Sequence, residues 1–503
     1  MINIPQRIWP LFSLIAGALT TLAFAPFNLS WLVFLTLASA FYLWHKLPAK
    51  QAAVNGWMFG LGLQCTGVSW IYYSLHIHGS APAFFAILLI FLLSSYLSIY
   101  TALAAYTVNR FLPDKAVLRL LFFYPASWLL FEWLQGYVMT GFAWMQIGYT
   151  QIDLPLAGFA PVLGNHAVGG VIAFCAGALT LLVKQGLFKQ GQKISYKYSV
   201  FAVSAVLLLW LLGGLLKTID WTEQYGEPIK VSVIQGNIAQ KDKWKSHLRQ
   251  SMLDLYRDLS LAQEDVDLIV WPETAIPDYR YRVKPFLNQL RSDMKARDAD
   301  LILGIFVKND ENRYHNSVIN VQGGIYSKRH LVPLGEYIPL RFLVEFFNAW
   351  VKIPMSDIAA ANEEQALLTA AGVPLGVSIC FEEAFARDVI KDLPEAKILL
   401  NVSNDAWFED SHEPHQHHAI ARMRALETGR YMIRSTNTGI TSLIGPHGEV
   451  ISQLPQFETG VLNGNVQPLS GATPFVQWGD WLIVGICSLL LVGFAFKYRS
   501  AAA

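Results

Sequence analysis

Charge is scarce in this chain. Only 15% of its 503 residues are charged, whereas a soluble protein of average composition has about 25%. The 38 basic residues nearly balance the 37 acidic ones, and there is no arginine-rich tract. We therefore expect no nucleic-acid partner, because such a partner favours a strongly basic surface. The deficit falls in residues 1–217 and at the C-terminus, while residues 218–476 have the composition of an ordinary globular domain.

Cysteine is also rare, and the four cysteines lack the paired spacing of a zinc site. Three of them lie in long apolar runs: Cys65, Cys175 and Cys487. Cys380 stands alone in the polar segment, close to the carboxylates of Glu382 and Glu383, and has no disulfide partner there. A lone thiol beside acidic groups suits an activated nucleophile, and a small buried side chain is the alternative.

Long hydrophobic runs are abundant. Eight stretches are candidates for membrane-spanning helices, which need roughly 20 residues. They are residues 8–26, 30–46, 53–75, 82–108, 117–138, 165–183, 198–216 and 478–496. The pattern predicts an N-terminal membrane domain of about seven helices over 1–217, a separate domain over 218–476, and a C-terminal transmembrane helix with a tail over 477–503.

Basic residues occur in alternate connections between these runs. The connections that contain neither lysine nor arginine lie near 26–30, 76–81 and 139–164. Basic loops stay in the cytoplasm. We therefore expect a multi-pass protein of a bacterial inner membrane, with both termini in the cytoplasm and residues 218–476 in the periplasm.

One carboxylate, that of Glu132, lies inside a predicted span, within the apolar segment Trp128–Trp133. A carboxylate is costly in lipid and usually faces protein, water or a ligand. A hydrogen bond between two helices is the structural alternative, and it is the interpretation that we favour.

Residues 218–476 alternate short apolar runs with amphipathic segments. The predicted strands, including the turn that ends the first, are 231–237, 268–271, 301–307, 317–321, 376–379 and 398–402, followed by a hairpin around 445–448. Helices are predicted at 246–262, 283–297 and 417–431. This alternation predicts a layered α/β domain.

Three polar residues of this domain stand at strand ends or in a tight polar turn: Glu273, Lys328 and Cys380. Strand ends are where α/β folds place chemistry. A carboxylate can take a thiol proton, the thiolate can attack a carbonyl to form a thioester, and an ammonium can offset the charge that develops on oxygen. Each signal alone is weak, because Glu273 could cap a helix and Lys328 could be a solvated charge.

The segments around these residues resemble a known signature. Trp271–Glu273, Lys328–Glu336 and Cys380–Glu382 resemble the Glu-Lys-Cys motifs of the nitrilase superfamily. Asn401–Phe408 and Arg422–Glu427, with the flanking spans, resemble the apolipoprotein N-acyltransferase family over nearly the whole chain. That resemblance implies an α-β-β-α sandwich without a cofactor. It also implies transfer of a fatty acyl chain from a phospholipid, usually phosphatidylethanolamine, to the N-terminal amine of a lipoprotein's diacylglyceryl cysteine.

The resemblance also implies a role for each catalytic residue. Glu273 would be the proton acceptor, Lys328 the oxyanion stabiliser and Cys380 the acylated nucleophile. Glu336 matches a further glutamate, which would position Lys328 and the nucleophile.

Three more residues stand at positions that correspond to the family's pattern. Glu382 and Trp244 match such positions. Phe381 departs from the family, because tyrosine is expected there in many members. The phenylalanine keeps the ring and loses the hydroxyl, together with any hydrogen bond that the hydroxyl would make.

The apolar stretch 342–355 follows Glu336 in the chain. With a phospholipid donor, we expect it to be an arm that dips into the lipid interface and guards the cleft. An ordinary core helix is the alternative.

A dense histidine cluster invites a metal interpretation: His412, His415, His417 and His418. Their spacing is permissive, but no cysteine joins them and the expected chemistry needs no metal. We therefore predict no metal, and interpret the cluster as a loop and helix start with local hydrogen bonds.

Two other functions would use the same features. A membrane-tethered amidase or nitrilase would employ the same three residues with water as acceptor, although eight spans are an extensive tether for a soluble substrate. A transporter with a sensing domain is disfavoured, because Glu132 is essentially the one ionisable residue within the spans. One nucleophile that serves two large substrates implies a ping-pong order. Nothing indicates an obligate partner, so we expect a monomer.

Overall fold

The computed structural model describes residues 5–187, 195–333, 335–337, 358–362 and 364–500. The chain divides into two compact units. One comprises Met1–Ser69, Ile87–Ile219 and Gln477–Ala503, and the other comprises Trp70–Ala86 and Asp220–Val476. The predicted domain boundaries at 217 and 476 stay predictions. The predicted arm at 342–355 lies outside the described residues.

The first unit is built from apolar helices. The long helices of residues 5–217 and of the C-terminal end are Trp9–Thr20, Leu32–His45, Ala49–Gly67, Ala83–Phe111, Tyr124–Gln135, Ala160–Leu187, Tyr196–Lys217 and Trp481–Ser500. Two short helices, Ala116–Leu118 and Pro474–Trp478, lie between them. The nearly uniform apolar surfaces of the long helices suit lipid rather than water, because a helix in water keeps one polar face.

Among the described residues, five helical segments are long and apolar enough to cross a membrane: Ala83–Phe111, Ala116–Gln135, Pro155–Gln185, Tyr196–Lys217 and Trp481–Tyr498. The other three predicted spans coincide with Trp9–Thr20, Leu32–His45 and Ala49–Gly67. The first two have 12 and 14 residues, fewer than the roughly 20 of a full span. The third contains the polar Asn55 and Gln64. The predicted helical membrane bundle is confirmed, and its count of about eight spans stays a prediction.

Two glycines let the helices Trp9–Thr20 and Ala49–Gly67 approach closely. A Cβ atom on Gly17 would lie 1.9 Å from the carbonyl oxygen of Phe59. In the reverse direction, a Cβ atom on Gly62 would lie 2.0 Å from the carbonyl oxygen of Leu14. Such contacts stabilise membrane bundles through van der Waals packing of backbones.

Glu132 is buried inside the first unit. Its Oε1 atom accepts hydrogen bonds from the backbone N–H of Ile147 at 3.0 Å and from the indole N–H of Trp128 at 3.3 Å. Ile147 begins the 3₁₀ helix Ile147–Gln151. The carboxyl group of Glu132 therefore joins its own helix to the start of a short 3₁₀ helix.

The second unit contains two large β-sheets in the described part of the chain. The strands are β1 (Glu223–Gln224), β2 (Ile229–Gln235), β3 (Leu268–Val270), β4 (Ile276–Tyr279), β5 (Asp300–Lys308), β6 (Tyr314–Asn320), β7 (Ile325–Ser327), β8 (Leu368–Ala370), β9 (Val373–Ile379), β10 (Ile398–Ser403), β11 (Met432–Thr436), β12 (Ser442–Ile444), β13 (Val450–Gln453), β14 (Gly460–Val466) and β15 (Leu469–Ser470). One sheet has the order β13-β12-β11-β10-β9-β8. The other has the order β14-β2-β3-β5-β6-β7, with β4 paired to β5. The strands β9, β10 and β11 are parallel, as are β2, β3 and β5.

Apolar side chains from the two sheets form one buried cluster. Val233 and Val270 come from one sheet, and Ile379 and Leu400 from the other. The helices of this unit include Arg249–Leu261, Lys284–Lys295 and Glu413–Thr428. The first two pack on the outer face of one sheet and the third on that of the other. These layers form the predicted α-β-β-α sandwich, which is therefore confirmed.

The last of these helices differs from its predicted range. It spans Glu413–Thr428 instead of 417–431. Pro414 suits the first turn, where its missing N–H is not needed, and Gly429 ends the helix in the left-handed conformation at φ 60°. His417 and His418 lie inside the helix as predicted, and His415 lies inside it rather than in a preceding loop.

Candidate active site

The fold brings the predicted site residues together from both sheets. Cys380 directly follows β9, Glu273 lies in the turn after β3, and Lys328 directly follows β7. The charges of Glu273 and Lys328 both act on the Cys380 thiol. Residues far apart in the sequence therefore meet where strands of the sandwich end.

Cys380 occupies a strained turn. Its φ angle is +53°, and it begins the 3₁₀ helix Cys380–Ala384. Its carbonyl oxygen accepts hydrogen bonds from the side chains of Asn401 at 3.3 Å and His417 at 3.2 Å. A left-handed residue other than glycine costs about 1–3 kcal/mol and persists where surrounding contacts impose it. Here those contacts hold the backbone of Cys380 in the left-handed conformation.

Glu273 is placed by an unusually close approach of two strands. The following residue, Thr274, has φ +50°. A Cβ atom on Gly304 of β5 would lie 2.4 Å from the backbone nitrogen of Thr274 and 2.7 Å from the Cα of Glu273. The turn that carries Glu273 therefore requires glycine on the neighbouring strand. The Glu273 Oε1 atom accepts a hydrogen bond of 2.7 Å from the side chain of Asn316.

Lys328 is fully buried and held by one carboxylate. Its Nζ atom lies 3.0 and 2.9 Å from the two carboxylate oxygens of Glu336. The Asn316 amide also donates to Glu336, at 3.1 Å, so it links Glu336 to Glu273. The structure thus brings all four of Glu273, Lys328, Glu336 and Cys380 into one cluster.

Glu382 joins the loop after β7 to the turn of Cys380. Its Oε1 atom accepts from the backbone N–H groups of Arg329 at 2.6 Å and His330 at 2.9 Å. Its Oε2 atom accepts from the backbone N–H of Ile379 at 2.7 Å and from the Tyr326 hydroxyl at 3.0 Å. Removing this carboxylate would leave buried donors unsatisfied on both sides of the site.

The electrostatics keep the thiol protonated at rest. Desolvation raises the pKa of Cys380 to about 12, and the charge of Glu273 adds to the increase while Lys328 opposes it. Burial also raises the pKa of Glu273, against the opposing charge of Lys328. For Lys328, burial lowers the pKa, but the carboxylates of Glu336 and Glu273 outweigh it and the pKa is raised. The lysine is therefore a permanent cation beside a neutral thiol.

A second lysine reaches the site and was not predicted. Lys243 is only 3% exposed, and its Nζ atom donates to the backbone carbonyl of Glu273 at 3.2 Å. Burial lowers the pKa of Lys243 to about 8, although the charges of Glu273 and Cys380 oppose the decrease. In the sequence it lies in a run of polar residues, where it looks like a solvated charge. Its one distinguishing feature is its position directly before Trp244.

The two predicted aromatic residues have different environments. Trp244 is 46% exposed, and its ring lies 6.0 Å from that of Phe306. Phe381 is buried, with ring distances of 5.1 Å to Phe385 and 6.1 Å to His330. Phe381 therefore contributes its ring to an aromatic cluster beside the nucleophile.

A fully buried charge network lies behind Cys380, and sequence reasoning missed it. His417 bonds Glu383 at 2.8 Å through Nε2 and Asp405 at 3.3 Å through Nδ1. Arg434 bonds the same two carboxylates. The pKa of Asp405 is lowered to about 2, because Arg434 and His417 outweigh its burial. Polar residues within the apolar strands β10 and β11 are the signal that could have revealed this network.

Part of this network also has metal-ligand spacing. Among the described residues, the ligand atoms of Asp405, Glu413 and His417 lie within 4.8 Å of one another. Arg434 already supplies positive charge to Asp405. Burial, with the charge of Asp405, raises the pKa of Glu413 to about 7. The expectation that no metal binds stays a prediction.

The fold defines the class of the second unit. A sandwich of two sheets between helices, with a cysteine directly after a central strand, is the architecture of a carbon-nitrogen hydrolase. Residues 230–474 match the family model described as Carbon-nitrogen hydrolase. Residues 16–178 match the model described as Apolipoprotein N-acyltransferase N-terminal domain.

Full-length relatives identify the family. The chain is 39% identical over 493 residues to apolipoprotein N-acyltransferase of Methylococcus capsulatus, covering 97% of this chain and 96% of that one. It is 41% identical over 495 residues to the Pseudomonas aeruginosa enzyme of the same name, covering 96% and 95%. A solved carbon-nitrogen hydrolase from Helicobacter pylori is 16% identical with a TM-score of 0.37, covering 48% of this chain and 90% of that one. The chain belongs to the apolipoprotein N-acyltransferase family, and the resemblance seen in its sequence is confirmed.

Proposed function

We propose that this protein transfers a fatty acyl chain from a phospholipid to the N-terminal amine of an apolipoprotein's diacylglyceryl cysteine, through a thioester on Cys380. The observation that carries the proposal is the geometry of Cys380, a thiol at positive φ acted on by both Glu273 and Lys328. Membership of the family supports the acceptor. Phosphatidylethanolamine is the proposed donor.

The first half-reaction acylates the enzyme. Glu273 takes the thiol proton as the sulfur of Cys380 attacks the donor's ester carbonyl. A C–S bond forms, and the ammonium of Lys328 stabilises the negative charge that develops on the carbonyl oxygen. When the intermediate collapses, the C–O bond breaks and the lysophospholipid leaves with the proton from Glu273. The raised pKa of Glu273 makes it a stronger base for this step.

The second half-reaction transfers the acyl chain. The neutral amine of the apolipoprotein attacks the thioester, and an amide bond forms as the C–S bond breaks. Glu273 accepts a proton from the amine nitrogen and returns it to the departing sulfur. Because one nucleophile serves both substrates, the order is ping-pong.

Four neighbouring residues support these steps. Glu336 positions Lys328 through two short contacts. Glu382 holds the turn of Cys380 through the N–H of the preceding residue. Trp244 and Phe381 border the site with aromatic rings, and Trp244 keeps nearly half of its surface exposed for a substrate.

We further propose that residues 1–217 and 477–503 hold the chain in a bacterial inner membrane, with both termini in the cytoplasm and the catalytic domain 218–476 in the periplasm. The alternate placement of basic connections supports this orientation. In intact cells with a permeable outer membrane, a thiol reagent that cannot cross the inner membrane should label Lys230→Cys. It should not label Lys115→Cys, and the reverse pattern would overturn the orientation.

Intact-protein mass spectrometry tests the thioester. Purified enzyme is incubated with phosphatidylethanolamine, and the wild type is compared with Cys380→Ala. We expect one added acyl mass on the wild type that hydroxylamine removes, and no added mass on the variant. A wild type that stays unmodified while turnover is slowed would overturn the phospholipid as donor.

A further inference from the structure

A cavity of about 380 Å³ adjoins the catalytic cluster, and neither half-reaction described above assigns it a role. The residues that define its character are Trp244, Arg249, Asp278, Tyr279, Arg282 and Phe306. Lys243 also lines this cavity, and its ammonium bonds the carbonyl of Glu273. The Lys243 side chain therefore connects the cavity with Glu273, the proposed catalytic base.

The mouth of the cavity carries positive charge. Arg249 and Arg282 both pair with the single buried carboxylate of Asp278, Arg282 at 3.6 Å. That carboxylate also accepts the backbone N–H of Tyr279 at 2.7 Å. Two guanidinium groups on one carboxylate leave an excess positive charge, and both arginine side chains are about half exposed, at 46% and 56%. The buried Asp278 orients two guanidinium groups that still have donors for a further anion.

The walls of the cavity are aromatic. The Tyr279 ring lies 4.5 Å from that of Tyr314 and 6.3 Å from that of Phe306. Phe306 in turn contacts Trp244, and the guanidinium of Arg282 lies 5.0 Å above the Tyr279 ring. Flat aromatic surfaces next to guanidinium groups suit a ligand that has an anion attached to an apolar or cationic part.

We propose that this cavity binds the phosphodiester headgroup of the acyl donor, with Arg249 and Arg282 holding the phosphate against the aromatic wall. This inference rests on the proposed function. Of the two proposed substrates, the donor carries a phosphate at its reacting end, and guanidinium groups bind phosphate through paired hydrogen bonds. The cavity thus selects the donor, and Lys243 marks the side on which the donor's ester lies towards Glu273.

The test separates donor recognition from the chemical steps. The full-length enzyme is acylated in single-turnover reactions by phosphatidylethanolamine or by a p-nitrophenyl fatty acyl ester, which has no phosphate. In Arg249→Gln/Arg282→Gln, we expect the acylation rate at low phosphatidylethanolamine to fall about tenfold or more. Acylation by the nitrophenyl ester, and discharge of that acyl-enzyme by a diacylglyceryl peptide, should stay within about twofold of the wild type.

Two further variants control for charge and folding. Arg249→Lys/Arg282→Lys keeps both charges and should recover part of the loss, because an ammonium still attracts phosphate but lacks the paired donors of a guanidinium. Arg257→Gln removes an arginine–aspartate pair, with Asp293, from the same helix as Arg249 but outside the cavity. It should acylate as the wild type does with both donors.

Competition experiments distinguish a lipid headgroup from a simple anion. Glycerophosphoethanolamine should slow acylation of the wild type by phosphatidylethanolamine, and should have little effect on the glutamine double variant. Inorganic phosphate competing at equal concentration would show a general anion site and overturn the headgroup assignment.

The outcomes for the double variant are equally distinct. An equal loss with both acyl donors would mean that the arginines support the fold, and an unchanged rate with phosphatidylethanolamine would mean that they bind nothing. Either result overturns the proposal. If no phospholipid acylates the wild type while the nitrophenyl ester does, the proposed function itself fails, and this result cannot be confused with the others.

Discussion

The carboxylate of Glu336 holds the ammonium of Lys328 through both of its oxygens, at 3.0 and 2.9 Å. The amide of Asn316 joins this carboxylate to that of Glu273, with bonds of 3.1 and 2.7 Å. The proposed oxyanion stabiliser and the proposed base therefore share one buried scaffold. A substitution at Glu336 should therefore lower the rate of the chemical steps rather than weaken substrate binding.

Glu336→Gln should weaken the oxyanion stabiliser. Burial lowers the pKa of Lys328 and the charge of Glu336 raises it, so removing that charge lowers the pKa of the lysine. We expect kcat at neutral pH to fall about 10- to 100-fold. The alkaline limb of the pH–rate profile should move to lower pH, because the ammonium is lost earlier. Glu336→Asp keeps the charge and should keep the limb, whereas an unshifted limb in the glutamine variant would contradict the proposed role.

Lys243→Met should change the pH at which the base works. Burial raises the pKa of Glu273 and the cation of Lys243 lowers it. The base acts in its ionised form, so acylation slows as the pH falls through a pKa above the usual glutamate value of about 4.3. Removing Lys243 should move this acid limb to higher pH in single-turnover acylation. Lys241→Met, at an exposed position that does not line the cavity, should leave the limb in place. Equal profiles for Lys243→Met and Lys241→Met would refute the assignment of Lys243 to the site.

Gly304→Ala should displace the base. The added Cβ atom would meet the backbone of Thr274 at 2.4 Å and of Glu273 at 2.7 Å, where no flexible side chain can yield. A misplacement of about 1 Å costs about 100-fold in rate, so we expect a loss of that size in acylation. Gly493→Ala places its Cβ in open space and should retain full activity. Near-normal acylation by Gly304→Ala would show that Glu273 is not the base.

Arg434→Met should destabilise the second unit. It leaves Glu383 and Asp405 buried without their shared guanidinium, which typically costs about 3–5 kcal/mol. Because the pKa of Asp405 lies near 2, its stabilising contribution is lost only as the pH falls below the usual aspartate value of about 3.9. The detergent-solubilised variant should therefore have a lower Tm than the wild type at neutral pH, where Asp405 is ionised.

A surface pair provides the comparison for that experiment. Arg313 and Glu311 form an exposed ion pair, and exposed pairs contribute about 0–1 kcal/mol. Arg313→Gln should therefore leave Tm nearly unchanged. If Arg434→Met unfolds at the same temperature as Arg313→Gln, the buried network does not hold the unit together.

Site residues can be predicted from the sequence where a polar residue interrupts or ends an apolar run. Glu273 and Cys380 follow apolar runs, so their positions at strand ends are visible in one dimension, and the sandwich fold is confirmed. Glu132 likewise interrupts a hydrophobic run. Its partner, the backbone of Ile147, could not be predicted, because backbone bonding to a distant side chain leaves no residue-specific signal.

Other parts of the site have no such pattern. Lys243 lies among polar residues, and only the fold buries it against the carbonyl of Glu273. Arg434 and Glu383 are separated by 51 residues and meet because β9, β10 and β11 are adjacent. Sequence periodicity identifies strands without their order, so contacts that depend on strand order became visible only in the structure.

The measurement that tests the account most directly is the fate of the acyl group on Cys380. Enzyme loaded from phosphatidylethanolamine with a labelled acyl chain is freed of lipid and mixed with a diacylglyceryl peptide, either with a free N-terminal amine or N-acetylated. We predict that the label moves to the amine of the free peptide, and stays on the enzyme with the acetylated one. Release of the label as free fatty acid at the same rate with both peptides would contradict the account, because water would then be the acceptor and the enzyme a hydrolase.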